Sequence, residues 1–273
     1  MAFALSLVGA APVAAQQADE VATAAEIAAL LRLDEVIAIM REEGIGYGAD
    51  LEAEMFPGQG GARWRETVAR IYDLERMQSR FIDSFTAELD GAAETGEIAA
   101  FFGSAQGQQI VSLELSARRA MLDEAVDAQS RDHFYELLAE ESPRLDLIDR
   151  FVTANDLVEQ NVTGALNSNL AFYYGMVEAD AIGFDMSETD ILADVWSQEP
   201  VIREETGEWL YSYLALAYQP LEDAALEDYI AFSEGAAGRR LNRALFTAFD
   251  GLFTMISRDL GVATGRFVSS QDI

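Results

Sequence analysis

The organisation of this chain is decided by the stretch IAAFFGSAQGQQI, residues 98–110, where one serine and two glycines interrupt a long helical pattern. Around it, apolar residues recur at spacings of three and four, as at Val36, Ile39 and Met40. Such spacing indicates amphipathic helices, and alternating strand patterns are scarce. We therefore predict an all-α fold in which this stretch joins two helices.

The joint occurs a second time, as YIAFSEGAAGRRL at residues 229–241. When the two strings are aligned, Phe232 matches Phe101, and Gly238 matches Gly107 at the same offset. Recurrence of a motif at a fixed interval indicates an internal duplication.

A second pair of strings also indicates duplication. RLDEVIAIM at residues 32–40 recurs as RLDLIDRFV at residues 144–152. The offset between these strings is shorter than the offset between the joints, so extra length must lie in the second copy. We predict two duplicated helical units, residues 26–141 and 142–273, with an insertion between about 153 and 195.

Composition excludes several chemistries. The formal net charge is −30, from 48 acidic and 18 basic residues, and such a surface repels nucleic acid. All the basic residues are arginine, the chain has no cysteine, and His133 is its single histidine. Lysine and thiol nucleophiles, thiolate zinc sites and sites with several histidines are therefore excluded. We predict no metal and no cofactor.

The N-terminal residues 1–15, MAFALSLVGAAPVAA, carry no charge and end in small residues before a polar switch at Gln16. This pattern is typical of a signal peptide cleaved after Ala15, although the usual positive start is missing; the alternative is an apolar helix that packs on the domain. We predict a periplasmic or secreted protein. The longest uncharged run beyond this segment, residues 160–177, contains three asparagines, so we expect no transmembrane span in the mature chain.

The FF-x-S-x-x-GQ pattern of residues 101–108, followed by a long helical pattern, resembles the bacterial domain-of-unknown-function 2059 family. That family usually has proline where this chain has Ala105, and the second copy has Gly235 in place of Ser104. The resemblance covers only the joint region of each half. It implies an exported, mostly helical protein, and it implies no activity, substrate or catalytic residue.

The joint contains one candidate nucleophile, Ser104. A serine hydrolase needs a nearby base, and its G-x-S-x-G turn follows a strand rather than a helix. The second copy lacks the serine, so we expect Ser104 to cap the following helix and no residue to be catalytic. For Gly107 and Gly238, in the first turns of their helices, an anion bound by the helix N–H groups is the rarer alternative to close approach of another backbone. The other structural residues of the joint are Phe101 and Phe232, expected in the core, and Gly107 and Gly238, expected at close contacts.

Two further glycine-containing stretches punctuate the first unit, REEGIGYGAD at residues 41–50 and FPGQGGARW at residues 56–64. The first lacks the preceding strand and the lysine of a phosphate-binding loop. We predict a break at each stretch, the first being a loop that joins two helices.

Three groups are weaker candidates for a site. His133 lies three residues before Glu136 and is expected to be a partly exposed helix histidine paired with acid. The acidic segment 178–194 offers oxygen ligands without the spacing of a calcium loop. A group of aromatic residues fits a helix core or, alternatively, a ligand groove between the units. The aromatic group comprises Trp209, Tyr211, Tyr213, Tyr218 and residues 172–174.

These observations favour a non-catalytic exported protein that binds an envelope protein or a small ligand in the groove between its repeats. The alternative is a carboxylate-dependent hydrolase, with a divalent ion as an optional aid, that uses acids such as Glu188 or Asp190. Carboxylates that converge inside a closed cavity would favour the enzyme, and carboxylates spread over an outer face would favour the binder.

Overall fold

The computed structural model describes residues 22–181 and 186–269, so the signal-like segment 1–15 lies outside the described residues. These ranges contain thirteen α-helices and no strand, and the predicted all-α fold is confirmed for them. In chain order the helices are α1 (Ala24–Leu30), α2 (Leu33–Met55), α3 (Gly61–Ile71), α4 (Leu74–Leu89), α5 (Thr95–Gly103), α6 (Ala105–Ala120), α7 (Glu124–Ala139), α8 (Pro143–Ala154), α9 (Leu157–Glu178), α10 (Glu188–Ser197), α11 (Glu199–Tyr218), α12 (Asp223–Glu234) and α13 (Ala236–Ser269). In the described ranges, no helix combines the length and the low polarity that a bilayer crossing needs.

Polar side chains placed just before the helices fix several of their boundaries. Thr23 accepts a hydrogen bond from the backbone N–H of Glu26, whose carboxylate in turn accepts one from the Thr23 N–H. Ser142 caps α8, which begins with Pro143. Each cap satisfies N–H groups that have no acceptor within the helix, and proline has no N–H to satisfy at that position.

The predicted loop at residues 41–50 is wrong, because α2 continues through it. Its glycines serve close packing instead. A Cβ atom on Gly44 would lie 2.0 Å from Cε1 of Tyr72, and one on Gly48 would lie 2.5 Å from Cγ1 of Val68. The missing side chains therefore let α2 lie against α3, which offsets the helix propensity cost of about 1 kcal/mol per glycine. The second predicted break does separate α2 from α3.

Two hydrophobic cores hold the helices together, and each draws on both halves of the chain. The first combines buried residues of helices α1 to α6 with one face of α13. The second combines α6 with α8, α11 and α12. Helix α13, the last in the described residues, therefore completes a core that is built mainly by the first half, while α6 contributes to a core built mainly by the second.

Helices α9 and α13 touch backbone to backbone at two glycines. A Cβ atom on Gly175 would lie 2.3 Å from the carbonyl oxygen of Arg258, and one on Gly261 would lie 2.1 Å from that of Phe172. Only glycine permits this approach, because a side chain at either position would push the helices apart.

Candidate functional site

The two joints lie against each other. The Phe101 and Phe232 rings stack with centroids 4.2 Å apart and an interplanar angle of 17°. Phe101 also stacks on Tyr229, with centroids 5.6 Å apart. Aromatic pairs of this kind contribute about 0.5–1.5 kcal/mol beyond the area they bury. The contact between the joints is therefore filled by side chains and leaves no groove at this point.

The backbone follows the same path at both joints. Ser104, between α5 and α6, has φ −72° and ψ 160°, and Gly235, between α12 and α13, has φ −73° and ψ 170°. A Cβ atom on Gly107 or on Gly238 would lie 2.3 Å from the carbonyl oxygen of the phenylalanine in its own joint. Each glycine thus lets the new helix begin directly against the last turn of the preceding one.

Ser104 bonds only to backbone atoms of its own joint among the described residues. Its Oγ accepts a hydrogen bond from the Gly107 N–H at 3.0 Å and donates one to the Phe101 carbonyl at 2.6 Å. This is the geometry of an N-terminal cap.

Substitution of Ser104 measures the strength of that cap. We expect Ser104→Ala to lower the free energy of unfolding by about 1 kcal/mol, because the Gly107 N–H loses its acceptor. Ser104→Gly, which copies Gly235 of the second joint, should cost only a few tenths of a kcal/mol. Urea unfolding compares the two variants. Unchanged unfolding of Ser104→Ala, together with a loss of partner binding, would contradict the structural role.

A carboxyl group is enclosed between the two halves, at Glu114 on α6. The Tyr218 hydroxyl donates to its Oε1 at 2.6 Å, and the Tyr229 hydroxyl also hydrogen bonds to it. Burial raises the pKa of Glu114 to about 7, and the two tyrosine hydrogen bonds offset that effect only in part. The pKa values of both tyrosines are raised, first by burial and then by the adjacent carboxylate. Glu114 can therefore bind or release a proton near neutral pH.

One turn further along α6, Arg118 borders a cleft of about 370 Å³ between the halves. It pairs with Glu43 of α2, at 3.0 Å from Nε to Oε1 and 2.8 Å from Nη2 to Oε2. The Arg118 guanidinium also lies over the indole of Trp209 on α11, 5.7 Å from the ring centroid. Met121 and Leu122 add apolar walls. The cleft thus offers a few polar groups among apolar and aromatic ones, a combination typical of ligand sites.

A second cleft, of about 390 Å³, lies between the turn from α4 to α5 and the start of α13. Arg239, Arg240 and Arg243 line it from α13, and Asp90 and Glu94 line it from the turn. Both clefts therefore take their walls from both halves of the chain.

Residues 172–174 of the predicted aromatic group lie on α9 and line neither cleft, and the other four members divide among three environments. Trp209 lines the first cleft, and its ring stacks on Tyr213 with centroids 5.2 Å apart. Tyr213 donates to the backbone carbonyl of Glu114 at 3.1 Å, next to the fully buried Tyr218. Tyr211 instead donates to Asp149 Oδ1 at 2.6 Å.

The other sequence candidates that the structure describes line neither cleft, and residues 182–185 of the acidic segment lie outside the described residues. His133 Nδ1 is 3.8 Å from Glu136 Oε2. Glu188 and Asp190 are exposed on α10, where the Asp190 carboxylate accepts hydrogen bonds from the N–H and hydroxyl of Ser187. Within residues 22–181 and 186–269, no three potential metal ligands converge.

Sequence reasoning missed Glu114 and the arginines of the two clefts. Glu114 shares a helix face with Ile110 and Ala117, at spacings of four and three, so an acid inside an apolar stripe was the available signal. For the second cleft the signal was three arginines within residues 239–243, in a chain with 18 basic residues.

Comparisons with protein families, with curated proteins and with solved structures found no match to this chain.

Proposed function

We propose that the chain is a non-catalytic exported protein that binds another envelope protein or a small ligand in the cleft at Arg118 and Trp209. The observation that carries the proposal is that both halves form the walls of this cleft. Helices α2 and α6 of the first half and helix α11 of the second half contribute its lining residues. Binding sites form preferentially where two packed units meet. A ligand held there would contact both halves at once.

We further propose that the halves are two copies of one unit, residues 26–141 and 142–273. Helices α1 to α6 and α8 to α13 form six pairs in the same order. Helices α6 and α7 together cover 105–139, which is nearly the length of the single helix α13 at 236–269. In this pairing, α13 corresponds to α6 and α7 joined without the break between them.

The packing of the helices repeats with the same pairing. Helix α5 packs on α1, as α12 packs on α8. Helix α13 packs on α4, and both α6 and α7 pack on α11. In each proposed copy, the helix that follows the joint thus packs on the fourth helix of the other copy, which is α4 in the first copy and α11 in the second. This exchange accounts for the presence of both halves in each core.

The Arg-Leu-Asp strings do not follow this pairing. Arg32 lies between α1 and α2 with φ 52°, whereas Arg144 lies in the first turn of α8. Asp156, between α8 and α9, shares the left-handed φ of 52° and is the better counterpart of Arg32. Trp64 precedes Phe101 by 37 residues and Trp196 precedes Phe232 by 36, so we pair these two tryptophans. The stretch from Asp156 to Trp196 is longer than the stretch from Arg32 to Trp64, so the second copy carries its extra length inside the predicted insertion. The two tryptophans differ in environment, since Trp64 is fully buried and Trp196 is 66% exposed.

The proposal of export rests on the charge-free residues 1–15 and agrees with the resemblance to the domain-of-unknown-function 2059 family. N-terminal sequencing of the protein from a periplasmic fraction tests it, since cleavage after Ala15 would leave Gln16 as the first residue.

One observation favours a second function, and that is the raised pKa of Glu114. A carboxyl group that titrates near neutral pH could serve a hydrolase as general acid or base. Its hydrogen bonds go to the tyrosines of the core, however, and Glu188 and Asp190 are exposed on α10. This arrangement of carboxylates favours binding over hydrolysis.

Photo-crosslinking from the rim of the cleft tests the proposed function. Benzoylphenylalanine in place of Leu122, which is 39% exposed at the rim, is expected to capture one partner reproducibly in intact cells. Mass spectrometry identifies the product. The control position is Leu138 on α7, 52% exposed and outside the cleft. The same products from both positions would contradict a specific site in the cleft, and a lack of products would favour the small ligand or the hydrolase.

A further inference from the structure

The second cleft has chemistry that the proposed function does not use. We propose that Arg239, Arg240 and Arg243 form a binding site for an oxyanion group, phosphate or carboxylate, carried by a small solute. The site is separate from the cleft at Arg118 and Trp209, so either can exist without the other.

The three arginines converge because of their spacing on α13. Arg243 lies four residues after Arg239 and three after Arg240, so their side chains leave neighbouring positions of one helix surface. All three border the same space of about 390 Å³ opposite the turn from α4 to α5. Guanidinium groups bind carboxylate and phosphate through paired N–H···O hydrogen bonds, and this volume suits a small solute.

These guanidinium groups form no ion pair with any described carboxylate. Arg239 and Arg240 donate to backbone carbonyls, those of Glu234 and Glu88. The Nε of Arg240 is buried without an acceptor among the described residues, and the guanidinium group of Arg243 has no hydrogen-bond partner among them. The Arg239 and Arg243 side chains are exposed, so their remaining N–H groups can reach an oxyanion in the cleft, and Arg240 adds its positive charge.

The first joint indicates that packing at this place does not require arginine. When the two joints are aligned on their phenylalanines and glycines, the three arginines correspond to Gln108, Gln109 and Ser112. The Gln108 amide donates to the carbonyls of Leu30 and Phe102, so an uncharged side chain serves the backbone there. The positive charges therefore belong to one copy only, which is expected of a ligand site rather than of a shared structural element.

The surrounding charge restricts which anions can enter. The net charge of −30 repels polyanions, and Asp90 and Glu94 stand on the wall opposite the arginines. A small solute with one oxyanion group can reach the guanidinium groups while the rest of the solute faces the wall that carries Asp90 and Glu94. We therefore expect weak, salt-sensitive binding of small oxyanions.

Titration calorimetry of the full chain at low ionic strength tests the site with two probes, inorganic phosphate and succinate. The test variant is R239Q/R243S, which places the first joint's residues at two exposed positions and leaves the Arg240 contact with α4 intact. The control variant is R65Q/R150S, which removes the same charge at two exposed positions outside the cleft. Affinity should fall at least about tenfold in the test variant and change by less than about twofold in the control.

The two probes distinguish the source of the oxyanion. Tighter binding of phosphate supports a phosphorylated solute, and tighter binding of succinate supports a carboxylic acid. The proposal is overturned if the wild-type chain binds neither probe at millimolar concentration, or if both variants lose affinity equally, because the effect would then be one of net charge alone.

Discussion

Gly107→Ala and Gly238→Ala are each expected to lower the free energy of unfolding by about 3 kcal/mol. In both variants the new Cβ atom would lie 2.3 Å from a backbone carbonyl oxygen. It would also lie within 2.7 Å of a backbone Cα atom, at Phe102 or Ser233. A backbone atom cannot turn away as a flexible side chain can, so the two helices at the joint must separate. Because the phenylalanines of the joints stack on each other, either separation disturbs both cores.

Two other glycines provide matched controls. A Cβ atom on Gly103 would lie no closer than 3.9 Å to Leu30, and one on Gly207 would meet nothing within 4 Å. Alanine at either position should leave stability unchanged or raise it by up to about 1 kcal/mol, because alanine favours the helix. Urea unfolding of the four variants gives the comparison. A large loss at Gly107 with none at Gly238 would contradict the proposed equivalence of the joints.

Glu114→Gln is expected to change the pH dependence of stability. The pKa of Glu114 is raised from its ordinary value of 4.5 to about 7, so between these pH values the unfolded chain releases the proton first. The free energy of unfolding of the wild-type chain therefore falls as pH rises through this interval. Above pH 7 the carboxyl is ionised in both states, so Glu114 causes no further change with pH. At about 1.4 kcal/mol per pH unit, the interval corresponds to about 3 kcal/mol. Glutamine imitates the protonated carboxyl and lacks this loss.

Urea unfolding at pH 4.5 and pH 8 measures the effect as a difference between Glu114→Gln and the wild type. The variant should gain about 3 kcal/mol relative to the wild type between the two pH values, whatever its baseline stability. Glu97→Gln removes an exposed carboxyl on α5 and controls for the loss of one negative charge. A difference that stays constant with pH, or that decreases, would show that the Glu114 carboxyl is not enclosed as described.

The helices could be predicted from the sequence because their signals are local. Apolar spacing and the caps at Thr23 and Ser142 depend on residues within one or two turns. The glycines at residues 41–50 could not be interpreted this way. Locally they indicate a break, but their partner is Tyr72, which lies far along the chain. Such a contact exists only after the helices have packed.

The candidate site was less predictable, for the same reason. Arg118 meets Glu43 and Trp209, which lie far from it along the chain on either side, and no local pattern pairs them. Trp209 was in the predicted aromatic group, although its spacing from Tyr213 fitted a core equally well. The position of an acid within the apolar stripe at Glu114 was visible in the sequence, and its enclosure by tyrosines of α11 and α12 was not.

The measurement that tests the central claim most directly is a calorimetric titration, in which the partner protein identified by crosslinking is purified and added to the purified chain. Leu122→Glu puts a negative charge at the rim of the cleft, and Leu138→Glu puts the same charge on an exposed site outside it. We expect Leu122→Glu to weaken binding at least about tenfold and Leu138→Glu to leave the affinity unchanged. We also expect the partner recovered after the titration to have the same mass as before, because the site does not cleave it. Equal affinity of Leu122→Glu and the wild type, or a partner recovered in cleaved form, would contradict a non-catalytic binding site in this cleft.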